Sequence, residues 1–68
     1  MEKYRVIIEW SDEDAAYIAR TPELPGCSAW GNTYEQAAKE IAAAMRLWLR
    51  TAQELGRPIP KPVTATAA

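Results

Sequence analysis

The sequence predicts an α+β domain: a three- or four-stranded antiparallel sheet with one long helix on one face, ordered β-β-β-α with an optional short final β. Three observations carry this. Tyr4, Val6, Ile8 and Trp10 alternate with Arg5, Ile7 and Glu9, the period of a strand with one better-buried face. A second extended stretch follows an acidic four-residue turn. At Thr33 the apolar period changes from 2 to 3.6 and holds to Leu55.

Each element has a local cause. Ser11-Asp12-Glu13-Asp14 is rich in short side chains that bond their own backbone, so it turns the chain between strand one, Tyr4 to Trp10, and strand two, Ala15 to Thr21. Pro22 and Pro25-Gly26 close that hairpin off, and Cys27 to Gly31 is long enough for a third strand. Thr33 followed three residues later by Gln36 is a helix-capping pair. Tyr34, Ala38, Ile41, Met45, Trp48, Ala52 and Leu55 then recur at steps of four and three, one apolar stripe on a helix of about six turns. Gly56 with Arg57-Pro58 ends it. Ile59-Pro60-Lys61-Pro62-Val63 is expected to form an edge strand or an extended arm. One domain is placed over residues 1–62 and a frayed tail over 63–68.

Sixty-eight residues leave room for one modest core, and such a chain gains little net stability alone. With one cysteine and no histidine, neither a disulfide nor a histidine-bearing metal site supplies the shortfall. Self-association, as a dimer or tetramer, is therefore expected. The same count removes Ser-His and Cys-His catalysis, and no nucleotide-binding glycine pattern occurs. Cys27 has no charged residue among its next neighbours Ser28, Ala29 and Trp30, and reads as an inert thiol. Glu9 with Asp12, Glu13 and Asp14 is the one dense acidic cluster. Consecutive acids at a hairpin tip diverge instead of converging on a metal, so the expectation is a non-enzyme without metal or cofactor. No signal segment or membrane-length apolar run is present, which points to the cytoplasm.

The net charge of −1 conceals an uneven distribution: −3 over residues 1–33 and +2 over residues 34–68. An acidic amino-terminal half suits a basic protein partner. With one helix on one face, the opposite sheet face is uncovered, and Arg5, Ile7 and Glu9 are placed there. Leu47 lies within the polar arc of the helix, a second apolar group without a place in the core.

Taken in order, Tyr4 to Trp10 with its acidic turn, Pro22-Glu23-Leu24-Pro25-Gly26-Cys27, Gly31-Asn32-Thr33, the long helix and Ile59-Pro60-Lys61-Pro62 resemble the HicB family over residues 3 to about 62. The resemblance implies a partly truncated ribonuclease-H-like fold without nuclease activity. It also implies the role of antitoxin in a type II toxin–antitoxin pair, binding a HicA-like toxin, a small basic ribonuclease that cuts messenger RNA and relies on a histidine. A chain without histidine is not the toxin half. Asn32 stands where the family commonly has aspartate. Many HicB proteins also carry a carboxy-terminal DNA-binding domain. This chain ends at Ala68, and no direct DNA binding is expected of it.

The residues expected to meet the partner are Asp12, Glu13, Asp14, Glu23, Trp30 and Leu47. The alternative is an orphan homo-oligomeric module with a structural or ligand-sensing role. A metal-dependent nuclease built on Glu9 and the acidic turn is the weakest reading.

Overall fold

The structure is a computed structural model that describes residues 3–64. Three strands, β1 (Ile7–Ser11), β2 (Ala16–Arg20) and β3 (Ser28–Gly31), form an antiparallel sheet in the order β1-β2-β3, followed by one helix, α1 (Tyr34–Glu54). This is the expected β-β-β-α arrangement. The first strand starts at Ile7 and not at Tyr4, because its partner ends at Arg20, where the chain turns into Pro22. Among the described residues no fourth strand follows α1. Pro58, Pro60 and Pro62 remove every second backbone donor there, so the segment runs as an extended arm.

The register pairs Ile8 with Ala19 and Trp10 with Tyr17 across β1 and β2, then Ala19 with Ala29 and Tyr17 with Gly31 across β2 and β3. These residues face α1. The core gathers Tyr4, Ala19, Leu24, Cys27, Ala37, Ile41 and Met45, flanked by Ile8, Trp48 and Leu49. Gly31 sets how closely helix and sheet approach. A Cβ on it would lie 2.4 Å from the Ala37 backbone nitrogen, a contact no side chain survives. That pressure turns Ala37 inward and leaves Tyr34 at the periphery, exposed, edge-on to Tyr17 with 6.0 Å between ring centroids. The buried helical face is thus Ala37, Ile41, Met45 and Ala52, and the predicted ends of the stripe, Tyr34 and Leu55, lie outside it.

Local bonds define the helix ends. Thr33 Oγ1 accepts the Gln36 N–H at 3.0 Å, and Gln36 Oε1 accepts the Asn32 N–H at 2.8 Å. At the other end Gly56 adopts φ +67°, while its N–H and that of Arg57 bond back to Gln53 and Ala52 carbonyls, a glycine-terminated stop.

The Pro22–Gly26 loop does more than close the hairpin. Two successive turns, Leu24 N–H to Thr21 O and Cys27 N–H to Leu24 O, drive the Leu24 side chain into the core, where it is fully buried. Trp48 Nε1–H donates to the Pro25 carbonyl at 2.9 Å and ties the loop to the helix. The Thr21 hydroxyl is buried and has no hydrogen-bond partner among the described residues.

Candidate functional site

Alternation places Ile7, Glu9 and Ser11 of β1, Ala16, Ile18 and Arg20 of β2, and Ser28 and Trp30 of β3 on the sheet face away from α1. No element covers that face among the described residues. Glu9 and Arg20 meet across it at 3.7 Å, an exposed pair of small energetic weight. Trp30 is 61% exposed beside Ile18. With Ala16 and Asp14 these two line a depression of about 320 Å³ whose floor is aromatic and aliphatic and whose rim is a carboxylate.

The rim belongs to the hairpin turn, which its own side chains hold. The Ser11 hydroxyl donates to Asp14 Oδ2 at 3.0 Å and accepts the Asp14 N–H at 3.2 Å. Trp10 Nε1–H donates to Asp12 Oδ1 at 2.7 Å, and the Ala15 N–H closes the turn on the Asp12 carbonyl. Asp12, Glu13 and Asp14 are all exposed, so the turn displays three carboxylates on a fixed backbone.

The six residues expected at a partner surface divide among three places. Asp12, Glu13, Asp14 and Trp30 share the open face and its tip. Leu47, 60% exposed, lies on α1 along a separate groove of about 550 Å³ between β3 and the helix, which Trp30 also borders. Glu23 stands at the opposite end of the hairpin with its side chain only 4% exposed. Its Oε2 accepts the Arg5 N–H at 3.2 Å and the Val63 N–H at 3.1 Å, and its Oε1 meets Arg5 Nε at 3.2 Å. Desolvation pushes this carboxyl up, but the donors from Val63 and Arg5 outweigh it and hold it below the ordinary 4.5. Tyr4 completes the clasp by donating its hydroxyl proton to the Pro60 carbonyl. Arg5, placed on the open face by alternation alone, belongs to this clasp. Val63, at the start of the expected tail, is held by it, and residues 65–68 of that tail lie outside the described residues.

Ile18 and Ala16, which build the floor of the depression, do not stand out in the sequence. Their place follows from strand register, which the acidic turn fixes. Burial pushes the Cys27 thiol above its ordinary value of 9.0, consistent with an unreactive core side chain. Among the described residues no acidic, histidine or cysteine group is gathered to hold a metal ion, and no helix is long and apolar enough to cross a membrane.

A family model described as the HicB-like antitoxin of bacterial toxin–antitoxin systems matches residues 4–67. The chain belongs to the HicB-like antitoxin family. Its relatives include the UPF0150 protein Ta0767 of Thermoplasma acidophilum, 37% identical over 59 residues that cover 87% of this chain and 84% of that one. The UPF0150 protein ssr1765 of Synechocystis is 34% identical over 58 residues, covering 85% and 72%. Among the described residues of this chain the three-stranded sheet and single helix leave one sheet face uncovered, and membership of an antitoxin family implies a toxin partner.

Proposed function

We propose that this HicB-like chain is a non-enzymatic antitoxin that acts in the cytoplasm, where it neutralises a small basic mRNA-cleaving toxin of the HicA type. It does so by covering the toxin's RNA-binding surface with the open sheet face and hairpin tip. The observation that carries the reading is the depression where Trp30 and Ile18 meet Asp14. An exposed tryptophan beside an aliphatic floor is the usual form of an interface anchor. A carboxylate at its rim selects an arginine or lysine, which an indole face also attracts. Asp12 and Glu13 extend the negative potential beyond the rim and steer a basic partner to it.

The reading predicts a small basic protein encoded beside this chain, and the test pairs the two. Co-purification through gel filtration and arrest of RNA cleavage are expected. Trp30→Ala is expected to weaken the complex by roughly tenfold or more. Neutralising Asp12, Glu13 and Asp14 to their amides slows association and flattens its dependence on salt. Full affinity in Trp30→Ala, or a bound toxin that still cleaves RNA, rejects the reading.

A further inference from the structure

The groove between β3 and α1 lies off the open face and shares only Trp30 with the depression used in the toxin-binding reading. One wall is the outer edge of β3. Because the Thr21 N–H donates to the Cys27 carbonyl, antiparallel alternation turns the backbone groups of Ser28 and Trp30 away from β2. Nothing guards that edge: Ser28–Gly31 contains no lysine, no proline and no bulge. The other wall is helical, with Glu40, Ala43, Ala44 and the exposed Leu47.

The helical wall belongs to a stripe at steps of four and three: Gln36, Glu40, Ala43, Leu47, Arg50 and Glu54. At 100° per residue these six fall within an arc of about 80°. The order along the stripe is its own complement when reversed. Set against an antiparallel copy, Glu40 faces Arg50, Ala43 faces Leu47 and Gln36 faces Glu54, and all three pairings share one midpoint, at Met45. Acid meets base, a large side chain meets a small one, and an amide meets a carboxylate. Gln36 has spent its oxygen on the Asn32 N–H, which leaves its amide donors for Glu54. Glu40 and Arg50 are exposed, and among the described residues neither forms an ion pair within the chain.

From this self-complementarity we propose that a second copy of this chain occupies the groove. The two helices would run antiparallel about a two-fold axis at the height of Met45 but on the opposite, exposed side of the helix, with Leu47 of each copy seated on Ala43 of the other. A two-fold axis uses one patch twice, so a single stripe that is its own complement meets the whole geometric requirement. The Glu40–Arg50 contacts, formed twice, fix the register. The proposal does not rest on toxin binding, and its association measurements use this chain alone.

Sedimentation of the full 68-residue chain at about 50 µM should give twice the 7.6 kDa chain mass. Leu47→Glu, at an exposed position, should give a monomer with unchanged far-ultraviolet circular dichroism. Glu40→Arg alone places like charges opposite one another and should weaken the dimer by roughly tenfold or more. Adding Arg50→Glu to it should restore the wild-type mass, which a loss of fold does not explain. A wild-type monomer at about 100 µM overturns the proposal, as does a dimer that survives Leu47→Glu or a double exchange that fails to restore association. A wild-type monomer that loses toxin binding in Leu47→Glu assigns the groove to the toxin and likewise overturns it.

Discussion

Glu23 and the Asp12–Asp14 turn bring the same functional group to opposite ends of the β1–β2 hairpin, where their surroundings differ in kind. Glu23 accepts two backbone N–H groups and a guanidinium, and its carboxylate is withdrawn from solvent into a clasp joining residues 5, 23 and 63. At the tip, Asp12 and Asp14 take short-range bonds from Trp10 and Ser11, while Glu13 has none among the described residues, and all three side chains remain exposed. The clasped end uses its charge internally to position the arm beyond α1. The tip leaves its charge outside, next to an exposed tryptophan. One end of this small sheet therefore serves stability, and the other, in the proposed reading, serves contact.

Two truncations separate the ends most sharply. Leu24 is fully buried at the clasped end, so Leu24→Ala should cost about 3 kcal/mol, seen as a large fall in the urea midpoint. Trp30 is mostly exposed at the contact end, so Trp30→Ala should change stability by no more than about 0.5 kcal/mol. A large stability loss for Trp30→Ala would make the open face part of the core and end the distinction.

The clasp has a second signature, in pH. Glu23 has a folded-state pKa held below 4.5, so its contribution is fully present above the unfolded carboxyl value and is lost as pH falls through the folded one. Glu23→Gln should accordingly be less stable than wild type at neutral pH, by less than Leu24→Ala. The two urea midpoints should converge as pH falls below the folded-state value. A gap that stays constant with pH would mean that the carboxylate charge does not hold the arm.

Much of the fold is legible because its signals are local. The Thr33–Gln36 cap, the change of period and the acidic turn each fix an element through bonds within a few residues, and the structure contains all of them. What is illegible depends on long-range placement. Pro22-Glu23-Leu24-Pro25-Gly26 reads as a turn, and nothing in five residues says that Leu24 plugs the core or that Glu23 meets Val63, forty positions away. The inward rotation of Ala37 depends on how closely Gly31 approaches the helix, a tertiary distance. Asp14 and Trp30 are sixteen positions apart, and strand register alone brings them to one depression. The sequence thus marks which residues lack a place in the core, while the register decides which of them share a surface.

A smaller effect than that of Leu24→Ala lies at the tip itself, where Ala15 adopts φ +50°. A left-handed conformation costs an L-residue about 1–2 kcal/mol, and alanine has no side-chain hydrogen bond to offset it. Glycine removes that cost but enters folding from a more disordered unfolded chain, so Ala15→Gly should gain about 0.5–1 kcal/mol in urea unfolding. The same variant asks whether the contact end depends on the strain. Ala15 immediately follows the carboxylate that rims the Trp30 depression, and the Ser11–Asp14 bonds that fix that carboxylate do not involve its side chain. Ala15→Gly should therefore raise the urea midpoint and leave toxin affinity unchanged. A gain in stability accompanied by a loss of affinity would mean that the left-handed alanine is what aims Asp14, and that the contact end gives up stability to hold its shape.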